Sequence, residues 1–243
     1  MSFVRNYALS KFFGKGAGGS GGGFTIDDIV NPIANVKGDI VITTTSCRGL
    51  SETKVTSVIG ENVTNLAAYA FRNCKELVSA SFPNVVNTYG SNQIFQGCAA
   101  LKNVNMERCH TFGTGVFDGT DLEQLVLPNF ETAYDILAQN CKSLKVVDLG
   151  NPTKTTGSGF IRQHAFSGCN SLEALILRHN KVVWIGNVNN LGNTPLTGYG
   201  GTYSGHVYIP SALLESYKTD TNWAALYANY PEIFQPIEGS EYE

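Results

Sequence analysis

Charge is scarce in this chain. Lys, Arg, Asp and Glu make up 15% of its 243 residues, against about 25% in an average soluble protein, and the formal net charge is -3. With no excess of basic residues, no electrostatic case exists for DNA, RNA or an anionic membrane as partner. No apolar run approaches the ~18 residues of a membrane-spanning helix. The six cysteines are 2.5% of the chain, far below the roughly 8–10% of a disulfide scaffold. None of them forms the C-x-x-C pair from which zinc and redox sites are built. What the chain does have is 26 Gly, 22 Asn and 20 Thr, so neutral hydrogen-bonding groups carry the surface.

The length allows one or two domains. In Met1 to Gly16, Arg5 and Lys11 are scattered among aromatic residues, which breaks the basic-then-apolar order of a cleaved export signal. Phe3, Val4, Tyr7 and Phe12, with Phe13 beside them, recur at three- to four-residue spacing and predict an apolar stripe on a short helix that needs a partner to dock on. Residues 1–13 are therefore read as an anchoring segment, a frayed terminus being the alternative. Residues 14–23, GKGAGGSGGG, contain seven glycines and read as a tether spanning roughly 17 Å. Gly14, Gly16 and Gly19 match G-x-G-x-x-G, but no strand precedes them, as a phosphate-cradling turn requires.

A repeat fills the middle of the chain. Phe71, Phe95, Phe117 and Phe166 share one position, with Ala138 in the fourth copy, and Leu77, Leu101, Leu122, Leu144 and Leu172 follow at spacings of 24, 21, 22 and 28 residues. A short apolar alternation comes after each leucine, as in Val104/Met106 and Leu125/Leu127. This period predicts a solenoid whose coils bury their apolar sides only by stacking. Cys74, Cys98, Cys141 and Cys169 each stand three residues before the leucine, with Thr120 in the third copy. Stacking puts them in an interior column of small apolar fillers. Cys47 and Cys109 fall outside that column.

The units AFRNCKELVSASFPN and AFSGCNSLEALILRHN resemble those of the BspA-type leucine-rich-repeat family of bacteria, and Pro83-Asn84 and Pro128-Asn129 resemble its strand-ending turn. Lys54 to Asn65 resembles a degenerate first unit, and Asn193 to Tyr230 resembles the family's closing unit. The resemblance implies a right-handed solenoid of short parallel strands and helical turns, capped at both ends. The expected organisation is an N-terminal cap at 24–53, a leucine-rich-repeat solenoid at 54–210 and a C-terminal helical cap at 211–243, with Ser211 as N-cap of the first cap helix. The tyrosines of the cap region read as cover for the last coil. Tyr199 and Tyr203, in the Gly-rich loop 197–205, are the two of that group expected to be exposed.

Catalytic constellations are lacking. Cys109 and His110 are adjacent, so in an extended segment their side chains point to opposite faces. His164 occupies a repeat position held by Tyr69 and Gln93 elsewhere. No enzyme activity, cofactor or metal is expected. Outward strand positions Ser79, Ser81, Asn103, Asn105, Gln124 and Asp148 are candidate binding residues, together with Tyr199 and Tyr203, for a polar partner such as a host-surface glycan or an extended peptide. A solvated sheet face is the alternative. The resemblance and the missing signal point to a non-enzymatic recognition or adhesion module. It would attach through residues 1–13 to other virion or surface proteins, as an exposed phage virion protein of tail or receptor-binding type. A bacterial cell-surface or secreted adhesin and a purely architectural virion protein are the alternatives. Several copies in one assembly would add avidity.

Overall fold

The computed structural model describes residues 24–25, 36–150 and 160–243. The anchoring residues Phe3, Val4, Tyr7, Phe12 and Phe13, the tether and most of the insertion before Phe160 lie outside them.

Short parallel strands stack coil on coil. One five-stranded sheet joins β1 (Phe24–Thr25), β2 (Lys37–Val41), β4 (Lys54–Ile59), β6 (Ser79–Ser81) and β7 (Asn103–Asn105). A second joins β9 (Gln124–Leu127), β11 (Val146–Leu149), β13 (Ala174–Leu177), β14 (His206–Ile209) and β15 (Phe234–Pro236). Together they form the main face. A narrower side face carries β3 (Ser46–Cys47) paired with β5 (Asn65–Leu66), then β8 (Thr111–Phe112), β10 (Thr132–Ala133) and β12 (Phe160–Ile161). Pairing in register puts equivalent residues of successive coils directly above one another, so each repeat position becomes a column.

The column of Phe71, Phe95 and Phe117 is a ladder of stacked rings, with centroids 5.4 and 5.9 Å apart and planes within 10°. It is bounded by Leu50 before Phe71 and by Ala138 after Phe117, each in the same backbone register. The cysteine column is longer than its cysteines: Thr53, Cys74, Cys98, Thr120, Cys141, Cys169 and Thr194 occupy it in order. Each threonine hydroxyl donates to the carbonyl three residues back in its own coil. Each thiol instead reaches the coil before, Cys74 to Leu50, Cys98 to Phe71, Cys141 to Phe117 and Cys169 to Ala138, at 3.0–3.1 Å. The longer C–S bond lets sulfur span a coil that a hydroxyl does not. These thiols are therefore hydrogen-bonded ties as well as fillers. Hydrogen bonding to Cys74, then burial, holds the Cys98 thiol well above the ordinary range; hydrogen bonding to Cys141, then burial, does the same for Cys169.

The two remaining cysteines belong to other columns of the same core. Cys47 lines up with Leu66, and the equivalent residues in later coils are Thr88, Phe112, Ala133 and Ile161. Cys109 lines up with Val63, Val85 and Phe130, the buried residue of the turn after each main strand. Beside it, Asn84 and Asn129 donate to the Glu61 and Glu107 carbonyls of the preceding coil at 2.7 Å, which gives the Pro-Asn turn its physical reason. All six cysteines are buried and free.

Residues 36–53 carry the bonding of a full coil. β2 pairs with β4, and the Leu50 amide donates to Ala70 as later coils do. At the other end, α1 (Leu214–Thr219) and α2 (Ala224–Asn229) close the stack. The Val183 amide donates to Tyr217 Oη at 2.9 Å, and the Val183 carbonyl accepts from Trp223 Nε1 at 2.8 Å. Two aromatic side chains thus satisfy backbone groups that a further coil would otherwise have paired. Ser211 does not cap by its side chain. It lies in a 3-10 turn, and its amide donates instead to the Glu238 carboxylate at 2.9 Å.

Candidate functional site

The outer surface of the main face divides into an open half and a sealed half. Over β4, β6 and β7 the outward residues Ser57, Ser79 and Asn103 pair into one column and are partly exposed, with Asn105 in the next, and Gln124, exposed, holds the same repeat position on β9. At its edge Asp39 accepts from Thr56 and Ser57 at 2.9 and 2.7 Å. The row bordering this strip runs Lys102, Glu123, Lys145, Glu173 on successive coils. Signs alternate coil by coil, so no field of one sign develops along it.

Ser81 and Asp148 require correction as binding residues. Ser81 is 6% exposed and accepts from Asn105 Nδ2 at 3.3 Å, because the neighbouring amide folds over it. Asp148 points outward as the strand alternation predicts, yet it is only 5% exposed. The C-terminal segment crosses the sheet above it. Ile237 and Tyr242 pack on Val146, Ala174, Ile176 and Tyr208 in a small apolar cluster of their own, and the Tyr208 and Tyr242 rings meet edge to face at 4.6 Å. The chain covers with its own tail the apolar outward residues Val146, Ala174, Ile176 and Tyr208, and leaves to solvent the half that bears the amides and hydroxyls, with Val41 and Ile59 exposed at its margin.

Tyr199 and Tyr203 are exposed at 47% and 37%, and both are also tied to the fold. Tyr199 Oη donates to the Asn170 side-chain oxygen at 3.1 Å, with the Asn170 amide turned to donate to the Gly168 and Asn193 carbonyls. Tyr203 lies against Tyr230, centroids 5.4 Å apart, and Tyr230 Oη meets His206 Nε2 at 3.0 Å. They do not adjoin the open strip, which lies on earlier coils.

Cys109 and His110 do diverge. The thiol is buried and pushed up to about 12 by burial, while His110 sits at the surface 3.3 Å from Glu131. Thiol and imidazole are on opposite sides of the backbone, an arrangement that cannot generate a thiolate nucleophile. Among the described residues, no three His, Cys, Asp or Glu side chains gather as a metal ion would require, and no helix is long and apolar enough to cross a membrane.

Sequence reasoning missed an aromatic group on the side face, where Tyr89, Tyr134 and Arg162 meet. No local pattern marks it, since its members come from separate coils.

Residues 45–145 match the family model described as the BspA type leucine rich repeat region, in six copies. No curated protein matches the chain. Among solved structures, a leucine-rich repeat protein from Bacteroides ovatus ATCC 8483 aligns over 64% of this chain at 23% identity with a TM-score of 0.44, and this chain spans 39% of that protein's length. A leucine rich cell surface protein from Faecalibacterium prausnitzii A2-165 aligns over 83% of this chain and 79% of its own at 13% identity, with a TM-score of 0.27. Residues 45–145 are a BspA-type leucine-rich-repeat region, and the coils that follow, through Thr194, extend the same stack.

Proposed function

We propose that this chain is a non-enzymatic recognition module that reads a polar partner across the open half of its main face. The observation that carries this is the division of that face. The tail seals Val146, Ala174, Ile176 and Tyr208, while Ser57, Ser79, Asn103, Asn105 and Gln124 remain on the solvent side of their strands, with the exposed Val41 and Ile59 at the margin. Parallel pairing sets β4, β6 and β7 about 4.8 Å apart, so the donors and acceptors of Ser57, Ser79, Asn103 and Asn105 form a fixed grid, and a partner pays ordering entropy on one side only. Solenoids commonly use such extended surfaces for binding. The setting proposed is an exposed position on a phage virion, with a bacterial cell surface as the alternative, and residues 1–13 as the attachment.

The test is a screen of glycan and peptide arrays with the purified full chain, as a monomer and as a multivalent particle. Binding by the multivalent form, weaker for the monomer, is expected. Silence in both forms contradicts recognition and favours the architectural reading.

A further inference from the structure

Each short strand of the side face points one residue inward. Phe112, Ala133 and Ile161 point in. The outward position that follows them is held by Gly113, Tyr134 and Arg162 on successive coils, and one coil earlier, after Thr88, by Tyr89. Gly113 is fixed by crowding, because a Cβ there would lie 2.5 Å from the Ser91 carbonyl oxygen and 2.7 Å from that of Thr88. The column therefore has a gap between two tyrosines. Tyr89 and Tyr134, two coils apart, lean over it until their ring centroids are 5.2 Å apart at an interplanar angle of 47°. The Arg162 guanidinium carbon then lies 5.0 Å above the Tyr134 ring.

This shelf is not packing for the core. Tyr89 is 66% exposed, the highest value among the large hydrophobic side chains described, and Arg162 is exposed as well. Among the described residues its guanidinium makes no hydrogen bond or ion pair. Its planar fork of donors, oriented by the ring beneath, matches a carboxylate. Thr111 and Thr132 flank the shelf, and Glu131, next in sequence, is engaged by His110.

We propose that Tyr89, Tyr134 and Arg162 form a binding site for a saccharide that carries a carboxylate. The polarised C–H face of a pyranose ring lies on the electron-rich face of Tyr89, and the carboxylate takes the free donors of Arg162. An apolar peptide helix needs an apolar groove, whereas this shelf is open and bordered by threonines. A nucleic acid strand would also stack on tyrosine, but it needs a track of cations along its phosphates, and here there is one arginine in a chain of net charge -3. The site is separate from the open half of the main face and shares with the preceding reading only that the chain binds rather than catalyses.

The experiment titrates the full chain with 3′-sialyllactose and trigalacturonic acid, and with lactose and the fully methyl-esterified trimer as neutral counterparts, by saturation-transfer NMR and calorimetry. At least one acidic sugar should bind about tenfold more tightly than its neutral counterpart. Tyr89→Ala and Arg162→Gln should each weaken it by about tenfold without moving the thermal midpoint. Equal affinity for acidic and neutral forms, wild-type affinity in Tyr89→Ala, or no binding of any of the four by a multivalent form overturns the site. If the shelf fails in this way while array ligands still bind in a manner sensitive to Asn103→Arg, the recognition reading stands without it.

Discussion

Arg178 grips Asp148 with three hydrogen bonds of 2.9–3.1 Å, and the same Nη2 that completes the grip donates to the Tyr242 carbonyl at 2.7 Å. One guanidinium thus neutralises a buried carboxylate and holds the tail that buries it. Arg178→Ala would leave that charge unpaired beneath an apolar cover, at a cost of about 3 kcal/mol and a fall in thermal midpoint of roughly 6–10 °C. Hydrogen exchange should locate the loosening in residues 237–243. The double variant Asp148→Val, Arg178→Leu should recover most of the loss, since Val126 and Ile176 already flank Asp148 on the neighbouring strands. If the single and double variants melt alike, the pair is not what secures the tail.

Alkali should weaken the fold through buried thiols, and Cys47 and Cys109 give the clearest case. Burial is the main cause that pushes Cys47 and Cys109 up to about 12 from 9.0. Unfolded thiols lose their protons near pH 9 while the folded ones keep theirs. Their contribution is complete below pH 9 and is lost as pH rises from there towards 12, by about 1.4 kcal/mol per unit for each group. Denaturant midpoints from pH 8 to 11 should fall accordingly, and Cys109→Val, which copies Val63 and Val85 of its column, should flatten the slope by one proton. An unchanged slope would show that the thiol already ionises in the native state.

Acid acts through His179. Its Nε2 donates to the Phe130 carbonyl at 3.0 Å, and Nδ1 is buried with no partner among the described residues. Burial holds the imidazole below the usual histidine range, so the unfolded chain takes up a proton near pH 6.5 that the folded chain refuses. Stability is full above that pH and declines as pH falls below it. His179→Gln keeps a donor for Phe130 and removes the titration, so its melting curve should be flatter between pH 7 and 5 than that of the wild type.

Backbone conformation gives a pair of opposite effects. Glu52, Asn73, Gly97, Gly119, Asn140, Gly168 and Asn193 occupy equivalent turns, all with φ between 58° and 80°. Exposed Glu52 bears the side chain least suited to that region, so Glu52→Gly should stabilise by about 1 kcal/mol. Gly113→Ala should destabilise by about 2 kcal/mol because backbone, not a movable side chain, blocks the new methyl. Chemical denaturation of both variants decides the matter, and a neutral Gly113→Ala would mean the coils shift freely there.

What repeats in identity was legible in the sequence. The phenylalanine, leucine and cysteine positions recur because one pocket shape recurs, and the stack follows from their period. Cys47 and Cys109 escaped because their columns keep only burial in common: Leu66, Thr88, Phe112, Ala133 and Ile161 share a place and no chemistry. The alternation of β11 did aim Asp148 outward, but the segment that covers it lies some ninety residues further along, and no local signal announces such a contact. Tyr89 and Tyr134 were hidden for the same reason. Their meeting depends on Gly113, a residue that contributes only by lacking a side chain.

Binding of array ligands by wild type, Asn103→Arg and Tyr242→Arg, each displayed multivalently and matched for thermal midpoint, tests the division of the main face most directly. Asn103→Arg places a long cation in the middle of the open strip and should abolish the main-face binding, whereas Tyr242→Arg alters only the sealed half and should leave it intact. Full binding by Asn103→Arg would contradict the account.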